Sequence, residues 1–129
     1  MTQEKFREVL DKKGYPYKIE GNKIVVTHED DVYLRSLKTI PPDVEFKNGG
    51  YVDLESLTSL PSGVVFNNGG GVNLRSLTSL PPDVEFKNGG NIYLGYLIGR
   101  WIDEWPGNIK GIDSKRLLNK MISLGIFER

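Results

Sequence analysis

Three short stretches contain residue types that could do chemistry. His28-Glu29-Asp30-Asp31 joins the chain's only histidine to three carboxylates, a donor set of the kind a divalent cation needs. Metal ligands must converge from defined directions, however, and consecutive residues in one turn diverge. The tetrad therefore reads as a solvated turn. Asp103 and Glu104 lie between two tryptophans and invite comparison with the paired carboxylates of a glycoside hydrolase. Adjacent residues on a helix point in different directions, so the two would not face a common bond. Asn68-Gly69-Gly70-Gly71 has the glycines of a phosphate loop but not the Gly-x-x-x-x-Gly-Lys-Ser/Thr spacing, and it opens no helix. With no Gly-x-Ser-x-Gly or His-Glu-x-x-His motif either, the expectation is a protein that is not an enzyme and needs no metal or cofactor.

Composition narrows the partners. Lys plus Arg and Asp plus Glu each number 17, so the net charge is zero and the basic excess of a nucleic-acid binder is missing. Nucleic acid is not expected as a partner on that ground. The chain has no cysteine, which removes disulfides, thiolate metal sites and thiol nucleophiles. The first residues are polar and no apolar run approaches roughly 18 residues, so the expected location is cytoplasmic, away from membranes.

The elements that position these residues come from a 20-residue repeat over 24–94. Val32, Val52, Val72 and Ile92 are in register, followed by Leu34, Leu54, Leu74 and Leu94, then by Leu37, Leu57, Leu77 and Leu97. Ile40, Leu60 and Leu80 each precede a proline. Val44, Val64 and Val84 follow, then Phe46, Phe66 and Phe86, and each unit closes on Asn-Gly-Gly at 48–50, 68–70 and 88–90. Val-x-Leu and Val-x-Phe alternate at period two, the signature of short strands with one buried face. The leucines three apart suit a tight turn, and the proline marks a corner. The Asn-Gly-Gly corner is expected to supply positive-φ positions. One unit cannot bury enough apolar surface to offset the entropy of ordering it, so units must stack as a solenoid.

Stacking places equivalent side chains in ladders about 4.8 Å apart. Asn48, Asn68 and Asn88 are expected to form an amide ladder inside the corner. Arg35, Glu55 and Arg75 alternate in charge along another ladder. Glu45, Val65 and Glu85 separate two carboxylates, and Lys47, Asn67 and Lys87 separate two amines. Tyr33, Asp53, Asn73 and Tyr93 form an outward ladder whose residues change from unit to unit. Its two tyrosines suit interface hot spots.

Open solenoid ends need caps. Residues 2–13 read as an amphipathic helix with Phe6, Val9 and Leu10 on one face and Gly14 as its stop, and Gly21-Asn22 as the turn of a hairpin. Together they make an N-terminal cap, residues 1–23. Past Gly95, Ile98, Trp101, Ile102 and Trp105 follow helical spacing, and Leu117, Leu118, Met121 and Ile122 stripe a final helix, making a two-helix cap over 95–129. The whole chain, 1–129, is expected to be one mainly β domain with α caps, a short parallel β-solenoid.

The units Leu54-Glu55-Ser56-Leu57-Thr58-Ser59-Leu60-Pro61 and Val84-Glu85-Phe86-Lys87-Asn88-Gly89-Gly90 resemble short leucine-rich-like repeats of bacterial and phage proteins. The resemblance spans about residues 24–97, and it extends distantly to bacterial leucine-rich repeats of 20 residues with a Leu-Pro step. Here Val-x-Phe-x-Asn replaces the usual Leu-x-Leu-x-x-Asn and a Gly-Gly pair is added, which favours a straighter, β-helix-like stack over a curved horseshoe. The resemblance implies recognition of another macromolecule by a rigid surface. In size and repeat type the chain is similar to phage-encoded inhibitors of host defence, anti-CRISPR proteins among them.

The expected function is thus non-enzymatic protein binding, through Tyr33, Asp53, Asn73, Tyr93, Arg35 and Arg75, with Trp101 and Trp105 in the C-terminal cap as further partner-binding candidates. The partner is another protein, and a homodimer is compatible with the sequence. Carbohydrate binding or cleavage and structural self-assembly are the alternatives from other classes.

Overall fold

The computed structural model describes residues 1–78, 81 and 83–94. One helix, α1 (Gln3–Lys13), precedes nine strands: β1 (Tyr17–Glu20), β2 (Lys23–Val26), β3 (Val32–Tyr33), β4 (Val44–Phe46), β5 (Val52–Asp53), β6 (Val65–Phe66), β7 (Val72–Asn73), β8 (Glu85–Phe86) and β9 (Ile92–Tyr93). They form a five-stranded sheet in the order β1-β2-β4-β6-β8 and a four-stranded sheet in the order β3-β5-β7-β9. Every pairing is parallel except β1 with β2. The chain is therefore a parallel β-solenoid, mainly β, with one described helix.

The register is the repeat. Val32 pairs with Val52, Val52 with Val72 and Val72 with Ile92, while Ile24 pairs with Val44 and Val26 with Phe46. A slip by one residue would turn each apolar set to solvent, so the period-two pattern fixes the stacking. Inside, the valine, leucine and phenylalanine columns merge into one buried core. Phe46, Phe66 and Phe86 stack nearly parallel, with ring centroids 5.5 and 5.4 Å apart. The paired leucines make the expected tight turn: the Leu37, Leu57 and Leu77 amides donate to the carbonyls of Leu34, Leu54 and Leu74.

The Asn-Gly-Gly corners differ from expectation in two respects. None of their glycines lies in the left-handed region; positive φ falls instead at Gly14, Gly21, Gly63 and Asp43. Glycine is required at the corner for space. A Cβ on Gly49 would overlap the carbonyl oxygen of Glu29, one on Gly69 that of Gly49, and one on Gly89 that of Gly69. The second difference concerns the asparagines, which do not bond to one another. Asn68 Nδ2 donates to the carbonyls of Gly50, Gly70 and Gly71, tying its own turn to the preceding one, and Asn48 and Asn88 do the same at their own levels. The three Oδ1 atoms are buried without a hydrogen-bond partner among the described residues.

The same geometry accounts for Glu29 and Asp30, which occupy the corner glycine positions of the first turn. Corner Cβ atoms point back along the stack, and no solenoid turn precedes this one. Both side chains are exposed.

At the N-terminal end Thr2 Oγ1 accepts from the Lys5 amide, and Gly14 at φ 74° closes α1 with its N–H on the Asp11 carbonyl. The helix runs as expected and buries Phe6 and Leu10 in the core. The hairpin turns at Gly21-Asn22. Lys23 reaches from it to the next level, its Nζ 2.9 Å from Glu45 Oε1, and Asn67 Nδ2 donates to Glu45 Oε2 at 3.3 Å. Burial pushes the Glu45 carboxyl up, but the bonds from Lys23 and Asn67 outweigh it and hold the group below its usual value. The hydrogen bond to Glu45 raises Lys23 above its own usual value, against burial. The two-helix C-terminal cap expected over 95–129, with Trp101 and Trp105, lies outside the described residues.

Two outcomes follow. In urea unfolding Gly69→Ala should lose about 2 kcal/mol or more, because backbone must move to admit one methyl group, whereas Glu29→Ala should stay within about 0.5 kcal/mol. The Lys23–Glu45 pair is solvent-screened and should contribute less than about 1 kcal/mol. Its contribution is present between the two unfolded pKa values, is lost as pH falls through the depressed Glu45 value, and is lost as pH rises through the raised Lys23 value. Glu45→Gln should therefore lower stability at neutral pH and converge with the parent in acid, as measured by thermal unfolding across pH.

Candidate binding surface

On the four-stranded sheet the valine and leucine of each strand point inward, and the residue between them points out. That places Tyr33, Asp53, Asn73 and Tyr93 on adjacent rungs, as the repeat implied. Tyr33 and Tyr93, three rungs apart, are separated along the stack by about 14 Å. They are 38% and 58% exposed, but Asp53 is only 3% exposed and Asn73 is half-buried.

The two middle rungs are occupied with the fold's own bonding. Asp53 Oδ1 accepts from the Glu55 amide at 3.2 Å, and Asn73 Oδ1 from the Arg75 amide at 3.1 Å, the same side-chain-to-backbone bond at the start of each leucine turn. Asn73 Nδ2 also donates to Asp53 Oδ1. Arg35 Nε lies 2.7 Å from Asp53 Oδ2. Of the expected Arg35, Glu55, Arg75 alternation, the closest approach is Arg75 to Glu55 at 3.8 Å, because Arg35 is drawn to Asp53 instead. Asp53 is thus a buried anchor for Arg35 rather than a surface carboxylate.

Arg35 has a second role. Its guanidinium sits 4.9 Å from the centroid of the Tyr33 ring, a cation–π contact. The Tyr33 hydroxyl donates to Asp31 Oδ2 at 3.0 Å, while Asp31 Oδ1 accepts from the Tyr51 amide at 2.8 Å. Tyr51 completes the cluster, its ring 6.4 Å from that of Tyr33. The hydrogen bond to Asp31, and that carboxylate's charge, raise the Tyr33 phenol above its usual pKa. Tyr51 is raised by burial and then by Asp53, with a hydrogen bond from Asn73 opposing. The Arg35 guanidinium is raised by its bond to Asp53.

Tyr51 was not among the sequence candidates, and Asp31 was considered only as part of the acidic tetrad and not as a partner-binding residue. They share the slot immediately after the Gly-Gly pair, filled by Asp31, Tyr51, Gly71 and Asn91, so a second changing column was present in the repeat beside the one that drew attention. In the His28-Glu29-Asp30-Asp31 tetrad, Asp31 is engaged by Tyr33 and Tyr51, Asp30 Oδ1 accepts from the Asp31 amide, and His28 packs against Tyr15 with centroids 5.0 Å apart. Among the described residues no three His, Cys, Asp or Glu side chains converge on a metal-sized point. Asp103 and Glu104 lie outside the described residues. Among the described residues, no helix is long and apolar enough to cross a membrane.

Comparison with protein-family models, curated proteins and solved structures returns no match.

Removing the Asp31 carboxylate should release Tyr33. In Asp31→Ala the Tyr33 phenol should titrate at lower pH than in the parent chain, read by ultraviolet absorbance with Tyr33→Phe identifying its contribution.

Proposed function

We propose that the outer face of the four-stranded sheet binds another protein, with Tyr33, Tyr51, Tyr93 and Arg35 as the contacting side chains. The observation that carries this reading is the interlocked cluster of Tyr33, Arg35, Asp31 and Asp53. Arg35 is held by Asp53 and lies over Tyr33, and Tyr33 is held by Asp31, so an exposed aromatic and a cation are fixed in place before any partner arrives. Tyrosine and arginine are the side chains that most often dominate interface energies, and fixing them beforehand reduces the entropy lost on association. Rows of parallel hydrogen bonds behind the cluster supply a rigid base.

In this reading the chain works as one domain without catalysis or cofactor. Residues 1–23 close one end of the stack. Inhibition of a host defence system by a phage-encoded protein, as anti-CRISPR proteins do, is a role suited to such a surface and is the one the repeat resemblance favours. The buried, triply bonded state of Asp53 weighs against a carbohydrate-cleaving face, which needs free carboxylates beside its aromatics.

The test is site-specific photo-crosslinking in bacterial cells. A crosslinking residue at position 33 or 93 should trap one discrete protein. The same residue at position 47 or 87, on the opposite sheet, should not. Equal labelling from both faces, or none from positions 33 and 93, would overturn the assignment.

A further inference from the structure

The five-stranded sheet ends on β1, and among the described residues no strand pairs with its outer edge. The Thr27 amide donates to the Pro16 carbonyl at 2.9 Å, which fixes the phase of the hairpin. By antiparallel alternation the backbone groups of Lys18 and Glu20 face β2, and those of Tyr17 and Ile19 face away. The free edge therefore offers the N–H and C=O of Tyr17 and Ile19. Ile19 beside them is 47% exposed. Lys18 and Glu20 share the opposite face of the strand, both half exposed and paired with each other at 2.9 Å.

We propose that β1 is the contact through which two copies of this chain form a two-fold dimer, β1 lying antiparallel to β1 of the second copy with Ile19 opposite Ile19. Three observations select that occupant and that register. The edge presents the alternating donors and acceptors that an antiparallel strand requires. A two-fold axis at Ile19 sets Lys18 of each copy opposite Glu20 of the other, giving two matched ion pairs on one face of the joint and an Ile19–Ile19 contact on the other. The neighbouring register, with Tyr17 opposite Ile19, would also match the free backbone groups, but it sets Lys18 against Lys18. Charges on a short edge strand discourage pairing with arbitrary strands, and here they are complementary to the strand's own reversed copy. The product would be one continuous sheet made from the five strands of each protomer. The joint is only four residues long and has the scale of a reversible association, and it lies in a different sheet from the tyrosine surface.

Sedimentation equilibrium of the full chain over a wide concentration range tests this. The parent should show a monomer–dimer equilibrium. Lys18→Glu and Glu20→Lys, each of which places like charges opposite one another, should weaken association by about tenfold or more. The double variant Lys18→Glu/Glu20→Lys restores opposite charges and should recover the parent affinity. Circular dichroism should show the same fold in all four proteins, since both side chains are exposed. A parent that stays monomeric at the highest concentration, single variants that dimerise unchanged, or a double variant that fails to recover would each overturn the proposal.

Discussion

At each Asn-Gly-Gly corner the backbone of one turn passes so close to the turn before it that a Cβ would overlap a carbonyl oxygen. That approach allows the Gly49, Gly69 and Gly89 amides to donate to His28, Asn48 and Asn68 at 3.0, 2.9 and 3.0 Å, so the hydrogen-bond ladder continues around the bend. With the corners joined, the two sheets keep a common register and the valine, leucine and phenylalanine columns close over one another. The remaining features of the fold, including its outward ladders, depend on that register.

The corner asparagines show what such close stacking costs. Each Nδ2 donates to carbonyls of two successive turns, several of which also accept a backbone amide, while each Oδ1 is buried without a partner among the described residues. A buried unsatisfied carbonyl costs about 1–3 kcal/mol, which the Nδ2 bonds joining the two turns must offset. The asparagine is therefore better understood as a stitch between turns than as one member of a side-chain ladder. Asp31 plays a related part in the first turn, where its carboxylate accepts the Tyr51 amide.

The two sheets use their outer faces differently. On the five-stranded sheet, charges pair across levels through Lys23, Glu45 and Asn67, and Val65 is buried between the carboxylate rungs. On the four-stranded sheet a buried carboxylate, Asp53, holds the exposed Arg35, and aromatic rings are left at the surface beside it. A face whose charged groups are already satisfied internally can bury its aromatics against a partner without leaving a charge unpaired.

The repeat by itself determined the strand register, the inward columns, the leucine turns and the column holding Tyr33 and Tyr93, because a 20-residue period without insertion leaves equivalent residues one stacking level apart. The N-terminal helix and the Gly21-Asn22 hairpin were legible for a local reason, in capping residues and apolar spacing. Only the tertiary structure decided which groups on those columns remain free. Asp53 and Tyr33 hold equivalent positions in the repeat, yet one is buried under Arg35 and the other exposed, and Tyr51 joins the cluster from a different column. Nor could the pattern distinguish a glycine needed for positive φ from one needed for space, since both are written Gly. That distinction, like the choice of the asparagine amides for backbone carbonyls over one another, depends on distances between turns, which exist only once the chain is stacked.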